Sequence, residues 1–346
     1  MPSVESICYF GGTYPIAFTM TKFLSLIISL QSLMAVAQQY TIVLHGGAGN
    51  GITPQYITEI NKAQYEQKMM EALNAGIAIL DTGGEATLAV VAVINVLEDS
   101  PLFNAGKGSV YTYNEKNEMD ASIMRGSDLN AGAVAGVTTV KNPITAALAV
   151  MDNSSHVMLS GPGADEFSEK QNLEIVSPEY FKTEDRRKSL ERLKQRQGAL
   201  PDSLWQDTKM GTVGCVVLDK KGNLAAGTST GGMTGKRYGR IGDSPVIGAG
   251  TYANNATCAV SCTGHGEYFI RYNVAADVSA RMAYSGVSLQ EAAKTVVHQV
   301  LKKAGGDGGL IGVDRKGNIT MEFNTKGMFR AYVKEGDETV VEMFGE

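Results

Sequence analysis

Apolar and polar positions along the chain fall into runs of two different periods. The short run Thr41-Ile42-Val43-Leu44-His45 predicts an opening strand that leads into His45-Gly46-Gly47-Ala48-Gly49. Met69, Met70, Leu73, Ile77 and Leu80 then recur at helical spacing, a stripe that core packing explains. A second helix from Glu85 to Leu97 is apolar nearly all round, as Ala89, Val90, Val93, Ile94 and Val96 show, and should be covered on several sides. A glycine-rich loop at Asn104-Ala105-Gly106-Lys107-Gly108 follows, with strands around 120–124 and 133–140 and a helix behind Pro143. From Val213 the period changes to two. Val213, Cys215 and Val217 alternate with Gly214, Val216 and Leu218, and after a turn at Lys220-Lys221-Gly222-Asn223 the run Leu224–Thr230 returns, so a hairpin buried on both faces is expected. Strand and glycine-rich loop continue to Gly266, helices are expected at 269–284 and 288–304, and three strands close the chain. Strands in two blocks with helices outside predict an α+β fold of two stacked sheets between helix layers, a four-layer αββα sandwich.

Composition narrows the partners. With 31 basic against 36 acidic residues the net charge is -5, which leaves no basic excess for nucleic acid or an anionic membrane. Glycine supplies 40 of the 346 residues, above the usual ~7%, so the backbone must turn tightly or approach something closely at several places. Between 182 and 209, 13 of 28 residues are charged and Pro201 interrupts the pattern. That stretch reads as a solvated linker, with an exposed helix over 184–196 as the equal alternative. Residues 23–37 are apolar behind Lys22 and close on Ala35-Val36-Ala37, the pattern of a signal peptide cleaved after Ala37 and of an exported, periplasmic or secreted protein. Met20 could start such a signal by itself, so residues 1–19 read as an over-long start. Cys215, Cys258 and Cys262 are too few for a disulfide framework in a chain this long.

Three kinds of chemistry are poorly served. Cys258, Cys262 and His265 are the sole cluster resembling metal ligands, and buried free cysteine explains them better than zinc. Gly227-Thr228-Ser229-Thr230-Gly231 fits the serine-hydrolase elbow formally, but no helix follows it. Neither His45–Gly49 nor Asn104–Gly108 has the form of a phosphate loop.

Gly211-Thr212-Val213-Gly214 is more informative, because it stands where a polar segment meets a buried strand. Cleavage between Gly211 and Thr212 would make Thr212 an N-terminus whose free α-amine lies beside its own hydroxyl. Such an amine has an ordinary pKa of about 7.7 to 8.0 and can act as general base without a histidine. Alone, the tetrapeptide reads better as an ordinary strand start favoured by β-branching.

Together with HGGAG at 45–49, PLFNAGKGS at 101–109, TSTGGMTGKRYGRIGDSP at 228–245, GAGTYANN at 248–255 and SCTGHGE at 261–267, the sequence resembles the plant-type asparaginases, or isoaspartyl peptidases, of the N-terminal nucleophile hydrolase superfamily. The resemblance covers almost all of the chain after residue 37. It implies self-cleavage at Gly211-Thr212 into an α subunit, 38–211, and a β subunit, 212–346, that form one domain. Thr212 becomes the nucleophile, with Thr230 as its polar partner and Thr263 and Gly264 as oxyanion hole and substrate contacts. Arg240 and Asp243 would clamp the α-carboxylate and α-ammonium, and Asn104 would face the threonine. The expected reaction is hydrolysis of β-aspartyl peptides or L-asparagine through a β-aspartyl-threonine ester, releasing L-aspartate. No cofactor is implied beyond a structural sodium held by main-chain oxygens of Leu97, Glu98, Ser100, Phe103, Ala105 and Lys107. A homodimer of αβ units is also implied. Two alternatives stand beside this: a glycosylasparaginase of the same fold, and a secreted ligand-binding relative that never matures.

Overall fold

Val213–Leu218 is a central strand, and its two faces organise everything around it. In the computed structural model, which describes residues 11, 38–197 and 211–345, the strands are β1 (Thr41–Gly49), β2 (Met119–Arg125), β3 (Ala131–Val137), β4 (Met158–Ser160), β5 (Val213–Leu218), β6 (Leu224–Thr230), β7 (Thr251–Ala253), β8 (Cys258–Gly264), β9 (Gly308–Asp314), β10 (Ile319–Phe323), β11 (Gly327–Lys334) and β12 (Val340–Phe344). The helices are α1 (Glu59–Asp81), α2 (Ala86–Glu98), α3 (Pro143–Asn153), α4 (Gly161–Lys170), α5 (Glu184–Gln197), α6 (Gly266–Tyr272), α7 (Val274–Ser285) and α8 (Leu289–Lys294), which runs on through a π-turn at Thr295–Leu301. One sheet has the order β12-β11-β1-β5-β6-β2-β3-β4 and the other β10-β9-β8-β7. The expected signal segment, with its cleavage pattern at Ala35–Ala37, lies outside the described residues apart from Gly11, as does most of the predicted linker, 198–210.

The predicted alternation of β5 is realised. Val213, Cys215 and Val217 join a core cluster with Met69, Leu73, Val90 and Ile94 of α1 and α2. Val216 and Leu218 pack with Ala259, Ile311 and Val313 of the second sheet. That sheet in turn offers Cys258, Val260 and Cys262 to Phe269, Val278, Val296 and Leu301 of the C-terminal helices. The period of two explains why both sheets bury both faces. The layer between the sheets is not uniform. Val43, Met124, Val216, Leu218, Leu224 and Ala226 fill one end with hydrocarbon. Toward the other end, the same alternate positions carry His45, Ser122, Thr228, Thr230, Ser261 and Thr263, all buried.

Four sequence expectations shift. Residues 184–197 form a helix, held by ion pairs such as Arg187–Glu184 at 2.8 Å and anchored by buried Leu190. The helix expected over 269–284 is broken at Asn273, whose left-handed φ of 51° caps α6 and starts α7. The segment 158–170 adds β4 and α4, and four strands, not three, close the chain. Among the described residues no helix is long and apolar enough to cross a membrane.

Candidate active site

Thr212 lies one residue before β5, 8% exposed, at the polar end of the layer between the sheets. Its hydroxyl donates to Thr230 Oγ1 at 3.1 Å. Thr230, the last residue of β6, also accepts from Gly232 N at 3.0 Å, so its own proton remains free to serve a further acceptor. The Gly211–Thr212 peptide runs against the glycines of β1. Gly47 has φ 112°, and a β-carbon there would stand 2.6 Å from Gly211 Cα and 3.2 Å from Thr212 N. Only glycine allows that approach, which accounts for the second glycine of HGGAG.

The remaining expected residues gather around this junction. Asn104 lies beside Gly211, and its amide closes the next turn by donating to Gly232 O at 2.7 Å and accepting from Val110 N at 3.0 Å. Thr263 is the next-to-last residue of β8; its Oγ1 accepts from Ala48 N at 3.3 Å, which joins it to the HGGAG strand and leaves its proton available. Gly264 has φ 153°, and a β-carbon there would meet Asp307 O at 2.5 Å. Arg240 and Asp243 come from the long β6–β7 loop. Gly266 separates them, since a β-carbon at Gly266 would lie 2.8 Å from Arg240 Nη2 and 2.9 Å from Asp243 Oδ1. Gly232 connects Arg240 to the threonines, bonding Thr230 through its amide while a β-carbon on it would lie 3.5 Å from Arg240 Nη1.

The electrostatics of Arg240 and Asp243 are uneven. Asp243 is 5% exposed and its Oδ2 has no partner. Burial pushes its pKa up to about 7, against the opposing pull of Arg240, and Glu267 and Asp120 add repulsion. A buried carboxylate oxygen without a donor is a ready site for an ammonium group. Arg240 is already engaged: Nε and Nη2 donate to Glu267 at 2.9 and 3.0 Å, so one edge of its fork is filled and Nη1 faces Gly232 and Gly242. The sequence assigns Arg240 to the α-carboxylate without pointing to Glu267 as its partner, although Glu267 is the last residue of the SCTGHGE segment.

Residues 38–342 match the family described as asparaginase. The chain belongs to that family. Among its relatives, the isoaspartyl peptidase of Escherichia coli (strain K12) is 46% identical over 309 residues, covering 88% of this chain and 96% of its own. The isoaspartyl peptidase of Salmonella typhimurium is 46% identical over 312 residues, covering 88% and 98%. The isoaspartyl peptidase/L-asparaginase of Homo sapiens is 40% identical over 295 residues, covering 85% and 93%.

Within this asparaginase-family site the rival chemistries lose their residues. Ser229 is fully buried and donates to Glu98 at 2.6 Å, so it is not a displayed nucleophile. Cys258 and Cys262 are buried free thiols, and no cluster among the described residues could hold a metal through His, Cys, Asp or Glu. Sequence reading also missed His45, whose Nδ1 meets Thr212 O at 2.9 Å. Its signal was positional, because His45 occupies the same alternate face of β1 as Val43.

Proposed function

We propose that this chain is an isoaspartyl peptidase/L-asparaginase that matures by cutting itself at Gly211-Thr212 and then uses Thr212 as its nucleophile. The observation that carries the reading is the Thr212 hydroxyl, buried and 3.1 Å from Thr230 Oγ1, directly after a glycine pressed against Gly47. In maturation, Thr212 Oγ attacks the Gly211 carbonyl carbon, the Gly211–Thr212 C–N bond breaks and frees the α-amine, and water hydrolyses the resulting ester to free the hydroxyl and the Gly211 carboxylate. In turnover that amine takes the hydroxyl proton as Oγ attacks the β-carbonyl of the substrate. The leaving amine departs with a proton, and water then releases L-aspartate from the β-aspartyl ester. Thr263 Oγ1–H and the Gly264 amide would receive the developing oxyanion, each such donor typically contributing ~2.7 to 4 kcal/mol.

Recognition rests on the β6–β7 loop. Asp243 Oδ2 would take the α-ammonium, and Arg240, through Nη1 and the outer part of its fork, the α-carboxylate. Asn104 would hold the Gly232 turn next to the reacting carbonyl and offer its second amide proton to the substrate. The αββα arrangement of N-terminal nucleophile hydrolases fits the three core clusters, with 38–211 and 212–346 as two chains of one domain. Export with cleavage after Ala37 is part of the same reading and rests on the apolar run 23–37 and Ala35-Val36-Ala37 alone. So is pairing of αβ units.

A sodium ion fits the loop before Asn104 in its donor chemistry. Gly106 and Gly108 lack side chains where β-carbons would press on the carbonyls of Glu98, Pro101 and Phe103, so main-chain oxygens point into the space these glycines leave open. The main chains of Leu97, Glu98, Ser100, Phe103, Ala105 and Lys107 would hold it, and it would supply positive charge that stiffens the loop. The test of the whole reading is a denaturing gel and N-terminal sequencing. The parent should give two chains, one beginning Thr-Val-Gly-Cys, and Thr212→Ala a single uncut chain; persistence of the cut in Thr212→Ala would overturn the mechanism.

A further inference from the structure

His45 is fully buried between the two sheets. The carbonyl of Thr212 can only accept, so Nδ1 at 2.9 Å carries the imidazole proton and Nε2 must accept from Ser261 Oγ at 3.0 Å. Each hydroxyl behind it has one proton, which fixes the direction of the whole chain. Ser261, having given its proton to His45, accepts from Thr228 at 2.7 Å. Thr228 accepts from Thr251 at 2.6 Å, and Thr251 from Ser122 at 2.8 Å. At the far end Ser122 Oγ also lies 2.6 Å from Ser244 O, and in the middle Thr228 Oγ1 lies 3.1 Å from Gly250 O, contacts of hydroxyl oxygens whose one proton is used within the chain. Five strands, β1, β8, β6, β7 and β2, contribute one residue each. Burial holds the His45 pKa down at about 3, so the ring stays neutral and the tautomer persists across the physiological range.

We infer that His45 is a positioning residue for the nucleophile, holding the Thr212 carbonyl through Nδ1–H while the buried hydroxyl chain fixes its tautomer. The inference rests on Thr212 being that nucleophile. The ladder pairs of β5 begin at Val213, opposite Ser229, so Thr212 stands outside the sheet and its carbonyl has His45 in place of a strand neighbour. Once the Gly211–Thr212 bond is cut, the residue loses its restraint on the amine side. The His45 contact then becomes its anchor, keeping amine and hydroxyl turned toward Thr230. The last glycine of GTVG acquires a reason as well: a β-carbon on Gly214 would overlap both Ser261 Oγ and His45 Nε2.

Two substitutions divide the histidine's contacts. His45→Asn places an amide N–H where Nδ1 stands and loses Ser261; His45→Gln places its amide where Nε2 stands and loses Thr212. Positioning predicts that His45→Asn keeps self-cleavage and kcat within ~10-fold of the parent. His45→Gln should lose about 10²-fold, the usual cost of a 1 Å misplacement, with KM unchanged because Arg240 and Asp243 do not touch His45. Equal losses in the two variants, or a more active Gln variant, would overturn the inference. Should neither variant fold, carbon-13 NMR of labelled histidine in the parent decides: an Nδ1–H tautomer supports the inference and an Nε2–H tautomer refutes it. Failure of the underlying reading looks different, since the parent itself would then show no chain beginning at Thr212.

Discussion

Acidifying the processed protein takes Asp243 through its titration while substrate still needs it charged. Its carboxyl is held near pKa 7, chiefly by burial, so the free protein is mostly ionised at about pH 8 and only ~1% ionised at about pH 5. An α-ammonium binds the carboxylate and not the acid. KM for an isoaspartyl dipeptide should therefore rise about tenfold per unit below pH 7, reaching ~10²-fold at pH 5, equivalent to ~2.7 kcal/mol of binding. The sign in the complex is opposite: a bound ammonium beside Asp243 lowers its pKa, so kcat should not follow this limb. Instead kcat should fall with protonation of the Thr212 amine, whose ordinary pKa is about 7.7 to 8.0. The assay is initial-rate kinetics at fixed ionic strength from about pH 5 to about pH 8, with kcat and KM fitted separately. In Asp243→Asn the KM should be high and flat. A flat KM in the parent, or a limb that survives in Asp243→Asn, would refute the assignment of Asp243 to the ammonium.

Two further outcomes follow from the clamp. Glu267→Gln removes a charge that raises the Asp243 pKa while retaining one acceptor for Arg240, so the KM limb should move to lower pH. An unmoved limb would show that Glu267 does not act on Asp243. Gly266→Ala inserts a β-carbon 2.8 Å from Arg240 Nη2 and 2.9 Å from Asp243 Oδ1, and should raise KM at least ~10-fold, again as a displacement of about 1 Å, while self-cleavage on a denaturing gel continues; loss of cleavage would mean that the clamp and the scissile bond are not separable.

The sequence made the central hairpin legible because burial on both faces forces both alternating sets to be apolar, which β5 obeys throughout and β6 as far as Gly227. The motif residues were legible for a different reason, since Thr212, Thr230, Arg240 and Asp243 sit in segments whose spacing is characteristic. What escaped was polar structure inside the core. Ser122, Thr228, Thr251 and Ser261 look like ordinary strand residues one at a time, and nothing local says that five strands will bring them to one imidazole. The pairing of Arg240 with Glu267 joins residues 27 apart and depends on a loop conformation that composition does not determine. The break at Asn273 was hidden too, because both halves of 269–284 keep an apolar stripe.

The parts of the site differ in what carries them, and this bears on how its activity can be altered. Thr212, Thr230, Thr263 and His45 stand on or directly beside strands of two sheets that clamp each other through buried side chains. Arg240 and Asp243 belong to the β6–β7 loop, which contains left-handed residues at Gly232, Gly235, Tyr238, Gly239 and Gly248. Reacting atoms need placement within about half an ångström, which strands supply better than loops. On the proposed reading, a loop-borne clamp would change its grip on the amino acid without moving the nucleophile. Substitutions in the loop should therefore act mainly on KM and those in the inner layer on kcat and maturation together, because one hydroxyl would perform both reactions from one position.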